Sequence, residues 1–157
     1  MTRVAAIDCG TNSIRLLVAD GHIDESGRPH LADLTRQMRI VRLGQGVDAR
    51  GYLDPAAIER TVEATVEYQR MIEALGATKT RFVATSATRD ASNSADFVRQ
   101  IKAVIGVEPE VVVGTDEASL SFNGAVSGLG ESVAAPMLVV DIGGGSTELV
   151  LGATRVE

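Results

Sequence analysis

The chain has 157 residues, 45% of them hydrophobic, and a formal net charge of −6. That length fits one ordinary domain, or one domain and a piece of another, and with no tryptophan the core must come from Val, Ile, Leu and Ala. An acidic chain presents no global field for nucleic acid or an anionic membrane, and no secretory leader or long apolar span is visible, so a cytoplasmic protein is expected. The lone Cys9 has no disulfide partner and no metal-ligand neighbours, and reads as a small apolar filler in a reducing compartment.

Extended segments open the chain at Val4–Ile7 and Ile14–Ala19, followed by a longer, partly alternating one at Leu31–Leu43. Asp20–His30 is rich in turn formers, so the strands are expected as an antiparallel meander, with His22 and His30 solvated in or beside a loop. A glycine-punctuated loop, Leu43–Pro55, then leads to a helix. Asp54 is its N-cap, Pro55 its first residue, Leu53 and Ile58 a hydrophobic staple, and Gly76 its stop. Ile58, Val62, Val66, Ile72 and Leu75 form its apolar stripe, and Glu63, Glu67, Arg70 and Glu73 its solvated face.

Thr80–Asp90 reads as a strand running into a hydroxyl-rich turn. Asn93 or Ser94 caps a second helix to about Ile105, closed by Gly106. Glu110–Gly114 reads as a buried strand, and Thr115 as the N-cap of a third helix, "TDEASLSFNGAVSGL". After Gly130 the chain loosens until Pro136 and then forms a strand, a turn and a strand. The order β-β-β-α-β-α-β-α predicts an α/β, ribonuclease-H-like domain over residues 1–130, a mixed five-stranded sheet flanked by helices. Residues 131–157 are expected to be the opening β-hairpin of a truncated second, similar domain.

The two ends share a grammar. "VAAIDCGTNSIRLLVADG" and "VVDIGGGSTELVLG" each run apolar strand, Asp-x-Gly, hydroxyl-rich turn, apolar strand. With Asp8 set on Asp141, Gly10 falls on Gly143, Ser13 on Ser146 and Leu16 on Leu149. Turns of small residues let main-chain N–H groups converge on an anion. Gly143, Gly144 and Gly145 put no Cβ in the way, and Ser146 and Thr147 add hydroxyl donors; in the first loop Gly10 is followed by Thr11, Asn12 and Ser13, whose side chains do more of the donating. Asp8 and Asp141 end their strands where a carboxylate can meet a phosphate-bound Mg²⁺ or its waters, an ion held by one or two carboxylates plus phosphate oxygens. Either hairpin alone could be a glycine-rich turn with an aspartate; the matched pair favours phosphate.

The blocks "DCGTNSIRLLVAD", "VRLGQGVDARGYLDPAAI", "VATSATRDASN", "GTDEASLSFNGAV" and "DIGGGSTELVLG", in that order, resemble the exopolyphosphatase/guanosine pentaphosphate phosphohydrolase family of the actin, Hsp70 and sugar-kinase superfamily. The resemblance implies a Mg²⁺-dependent hydrolase that releases terminal phosphate from polyphosphate, guanosine pentaphosphate, or both. It places the water-activating glutamate at Glu117, a phosphate-chain arginine at Arg89, and metal-holding or water-ordering acids at Asp141 and Glu148. Plainer readings stand beside these: Asp116 and Glu117 complementing a helix dipole, Arg89 pairing with Asp90, Glu148 as a cross-strand partner. A polyanionic substrate would need a local basic groove around Arg89, with Lys79 and Arg81, or residues outside this chain.

Other classes fit parts of the pattern. An ATP-binding kinase or actin-like protein accounts for "DIGGGST" but not for "TDEASLSF", and a non-catalytic phosphate-binding or assembly module needs no base. Chains of the resembled family run well beyond this length, which makes the sequence look like an amino-terminal fragment. Half a cleft binds phosphate weakly and cannot exclude water, so the activity of this stretch by itself is in question. Leu138–Val140 and Leu149–Leu151 would need a cover: folding back on the domain, strand exchange in a homodimer, or disorder.

Overall fold

A computed structural model describes residues 1–25, 27, 29–127, 129 and 134–152; the expected loosening after Gly130 falls largely outside the described residues. Strands β1 (Thr2–Cys9), β2 (Ser13–Ile23) and β3 (Pro29–Ile40) form the expected meander. A short helix α1 (Val47–Arg50), the long helix α2 (Pro55–Leu75), β4 (Lys79–Ala84), the single turn α3 (Ser86–Arg89), α4 (Ser94–Ile105), β5 (Glu110–Val111) and α5 (Gly114–Ser127) follow. The sheet order is β3-β2-β1-β4-β5, with β1 parallel to β4 and β4 parallel to β5, so it is mixed and five-stranded as expected. A separate two-stranded sheet pairs β6 (Met137–Ile142) with β7 (Thr147–Gly152). No helix among the described residues is long and apolar enough to cross a membrane.

One sheet face makes the core. Ala5, Ile7, Cys9, Ile14, Leu16, Val18, Phe82 and Ala84 alternate inward and pack with Ile58, Ala64, Tyr68 and Ile72 of α2 and Phe97, Ile101 and Ile105 of α4. Tyr68, fully buried, donates its hydroxyl to Ile14 O at 3.0 Å, which satisfies the polar tip inside the core. Cys9 is buried there, and burial pushes its thiol far above the ordinary range, as suits a filler.

The helix ends obey the capping chemistry. Asp54 accepts from the Ala56 amide at 2.9 Å, and Gly76 and Gly106 close α2 and α4 at φ 70° and 76°. The face of α2 differs from its apolar stripe: Val62, Val66 and Leu75 are only partly buried, whereas Ala57, Thr61, Ala64, Thr65 and Tyr68 are buried. Small residues let α2 approach closely, and Thr61 and Thr65 return their hydroxyls to the carbonyls one turn back, at 2.8 Å each.

Several expectations need correction. His22 and His30 are solvated, but they are strand residues directly opposite each other, with rings stacked 5.1 Å apart, because β2 and β3 continue to Ile23 and Pro29. Asn93 precedes α4 without a side-chain cap; its amide group instead holds Leu53 N and O, fastening the entry to α2. The expected Glu110–Gly114 strand stops at Val111, since Val113 O accepts the amides of both Asp116 and Glu117 and the helix starts early. Thr115 is therefore inside α5 and not its cap.

The other sheet face, with Ala6, Asp8, Arg15, Leu17, Arg36, Met38, Arg81 and Val83, looks into a cleft. Across it stand α5 and the β6–β7 hairpin, which are packed on each other. Alternate residues of the hairpin turn outward, and Leu138, Val140, Ile142, Leu149 and Leu151 remain 47–79% exposed. The hairpin thus folds back on α5 with one face only.

Candidate active site

The two acid-glycine turns are built alike. Gly10 N donates to Ser13 O, and Gly143 N to Ser146 O, both at 3.0 Å. These are the positions the sequence superposition equates. The two glycine amides therefore close their own turns, which leaves the amides at the tips, around Thr11–Asn12 and Gly144–Gly145, to meet an anion. The tips touch: a Cβ on Gly144 would lie 3.1 Å from Asn12 Cβ, and one on Gly145 2.6 Å from Thr11 Oγ1. Thr11 and Ser86 share a hydroxyl hydrogen bond of 2.9 Å beneath this contact. Only glycine lets the second loop come so close.

Both turns and α5 border one cleft of about 940 Å³. Asp8, Gly10 to Ser13, Glu117, Asp141, Gly143 to Ser146 and Glu148 all line it, with Thr85, Ser86 and Ser121. Thr147, the last hydroxyl of the second loop, is exposed and stands opposite Ile142 at the hairpin end, outside that lining.

The charges are distributed unequally. Asp8 faces Arg15 across β1–β2 and pairs with it at 3.3 Å. The equivalent pair across β6–β7 is Asp141 with Glu148, two acids. Burial raises the Asp8 carboxyl; Arg15 opposes the rise and Asp141 adds to it. Glu117 shows 16% of its side chain to solvent, and burial, then Glu148, raise its carboxyl above the ordinary range against the pull of Arg89 and Thr85. A carboxylate raised in this way holds a proton more readily than an ordinary one.

Arg89 lies behind the cleft lining. Its Nη1 donates to Val112 O at 2.9 Å and reaches Glu117 Oε2 at 3.5 Å, with Asp90 3.5 Å from Nε. Arg81 lines the cleft but is clamped by Glu110, and Lys79 is exposed at the start of β4. Arg15 and Arg36, which the sequence did not single out, are the further arginines of the lining. Ser86 and Ser121 were also missed. A signal existed for Ser121, one helical turn after Glu117.

Among the described residues no group of three or more His, Cys, Asp and Glu closes into a metal cage. The donor set offered is Asp141 and Glu148 on one side and Asp8 on the other. That suits an ion that takes one or two carboxylates and completes its shell with water and phosphate oxygens.

The fold and the cleft define an α/β protein of ribonuclease-H-like type in which paired acid-glycine turns meet beside a largely buried glutamate. The chain belongs to the Ppx/GppA phosphatase family, whose model matches residues 22–156. It is 52% identical to Exopolyphosphatase 2 of Mycobacterium tuberculosis, over 99% of this chain and 50% of that protein. Among solved structures it resembles an exopolyphosphatase-like protein (48% identity, TM-score 0.87, 96% of this chain and 45% of the other). It also resembles the Ppx/GppA family member of Aquifex aeolicus (33% identity, TM-score 0.79, 96% and 47%). The chain spans about half the length of each of these proteins.

Proposed function

We propose that this chain supplies the phosphate cleft and the proton acceptor of a hydrolase that removes the terminal phosphate of inorganic polyphosphate, guanosine pentaphosphate, or both. The observation that carries the reading is the convergence of both turns and the largely buried Glu117 on one cleft. Membership of the phosphatase family and the exopolyphosphatase name of the mycobacterial relative support it.

In this reading a water bound beside Glu117 gives its proton to the carboxylate as its oxygen bonds to the terminal phosphorus. The bridging P–O bond breaks, and the shortened chain leaves with the electron pair. The amides at the tips of the turns, with Thr11, Asn12, Ser13 and Ser146, hold the phosphate oxygens; Gly144 and Gly145 permit the close approach, and Gly10 and Gly143 close the turns. A divalent cation such as Mg²⁺, held through Asp8, Asp141 and Glu148, would neutralise charge on the transferring phosphate. The unlike hairpins favour the second as its main anchor, because Arg15 already balances Asp8 whereas Asp141 faces another acid. Arg89 orients Glu117 in the free protein, and its phosphate role requires it to swing from Glu117 to the substrate.

The organisation as a ribonuclease-H-like domain over 1–130 and the opening hairpin of a similar unit over 131–157 is part of the same proposal. The separate sheet of β6 and β7 supports it, and α5 packs on both strands of that hairpin. The test is phosphate release from polyphosphate and from guanosine pentaphosphate with Mg²⁺, measured for this chain and for the longest natural chain containing it. Release by the longer chain from at least one substrate is expected; release from neither refutes the reading.

A further inference from the structure

Asp141 has an unusual setting for an acid at the mouth of a phosphate cleft. Its counterpart Asp8 is steadied across the hairpin by Arg15, but the residue across from Asp141 is Glu148, which repels it. What holds Asp141 comes from another element: Ser121 Oγ of α5 donates to Asp141 Oδ2 at 2.7 Å. A hydroxyl on a carboxylate at that distance is a charge-assisted hydrogen bond, stronger than a neutral one.

Serine inside a helix ordinarily turns its hydroxyl back on the carbonyl one turn earlier, as Ser119 does with Thr115 O at 2.9 Å. Ser121 instead reaches across to β6. It can do so because the next residue, Phe122, is fully buried with its ring against Gly152 of β7, where a Cβ would lie 2.5 Å from Cζ. Helix and hairpin are seated by an apolar contact, and the hydroxyl is aimed by it.

We propose that Ser121 is a positioning residue for the cation side of the cleft: it holds Asp141 by Oδ2, against the push of Glu148, and leaves Oδ1 for the phosphate-bound cation or its water. An arginine at this place would also fix the carboxylate but would cancel the charge a cation needs; a hydroxyl fixes it and keeps the charge. Ser121 sits one turn beyond Glu117 on the same helix, so a single rigid element sets both the proton acceptor and the cation-side acid.

This inference rests on the proposed function, and its test separates the two. Mn²⁺ binding in the presence of tripolyphosphate is measured for the wild type, Ser121→Ala, Ser121→Thr and Ser121→Val, together with thermal unfolding. Loss of a group that orients a ligating carboxylate typically weakens metal binding about 10- to 100-fold. Ser121→Ala and Ser121→Val should lose affinity in that range, while Ser121→Thr, which keeps the hydroxyl and matches valine in shape, binds as the wild type does. In turnover by the longest natural chain, Ser121→Ala should need more Mg²⁺ with KM for polyphosphate unchanged. Wild-type affinity in Ser121→Ala and Ser121→Val overturns the inference and leaves the cleft reading standing, as does a loss in Ser121→Thr equal to that in Ser121→Val. A wild type that binds no Mn²⁺ with tripolyphosphate overturns both.

Discussion

Gly145→Ala tests the meeting of the two turns by forcing them apart. The new Cβ would lie 2.6 Å from Thr11 Oγ1, 3.0 Å from Ser86 Oγ and 3.3 Å from Thr11 Cγ2, where ordinary contact begins near 3.4 Å. The loops must therefore separate by about 0.8 Å at their closest point, or the Thr11–Ser86 hydrogen bond of 2.9 Å must break. Overpacking of this kind costs about 1–3 kcal/mol, and a lost hydrogen bond about 0.5–1.5 kcal/mol. Separation of the loops, at about 1–3 kcal/mol, corresponds to roughly 5- to 140-fold in affinity if all of it falls on the closed cleft, and loss of the hydrogen bond alone to less. Gly144→Ala, with a closest approach of 3.1 Å to Asn12 Cβ, should cost less, and Gly10→Ala, whose nearest atom is Ser13 O at 3.5 Å, should cost little. Calorimetric titration with tripolyphosphate, with thermal unfolding to read any loss of fold, gives the ranking. Equal affinities for Gly145→Ala and the wild type, or a Gly10→Ala as impaired as Gly145→Ala, would refute the packing of loop on loop.

Glu117→Gln keeps the shape and removes the proton acceptor, so turnover by the longest natural chain should fall about 10²- to 10⁴-fold with tripolyphosphate affinity little changed. Unaltered turnover would place the base elsewhere. Because burial and Glu148 raise Glu117, and the base must be ionised to act, the acid limb of kcat/KM should lie above the ordinary carboxylate range. Glu148→Gln removes a raising charge and should move the limb of the residual activity to lower pH, whereas Arg89→Ala removes a lowering one and should move it to higher pH; shifts of opposite sign would contradict the assignment. The outward face of the hairpin, with Leu149 67% and Leu151 70% exposed, should drive concentration-dependent self-association of this chain, reduced by Leu149→Glu together with Leu151→Lys. A monomer at all concentrations by sedimentation would count against a second copy as the cover.

Much of the fold was written locally. The Asp54 cap, the glycines after α2 and α4, and the extended runs that became β1 and β2 depend on neighbours in sequence, and they read correctly. The match between the turns survives to a single hydrogen bond, Gly10 to Ser13 and Gly143 to Ser146. What could not be read depends on which of several partners wins in three dimensions. Val112 and Val113 look like strand, yet Val113 O is taken by two helical amides and the strand ends early. Asn93 looks like a cap, but Leu53 offers its side chain both a donor and an acceptor. Arg89 has Val112 O, Glu117 and Asp90 all within reach, and no local pattern ranks them. The helical spacing from Glu117 marks Ser121, but its partner Asp141 comes beside it only when β6 packs on α5.

The central claim is that a condensed phosphate is held between the two turns in view of Glu117. Backbone amide chemical shifts of this chain, followed by NMR while tripolyphosphate is added with Mg²⁺, test it most directly. Saturable shifts should appear together, with one affinity, at residues 11–13, 144–146 and 117. Shifts confined to one turn, or spread over the arginines of β2 and β3 with both turns silent, would contradict it.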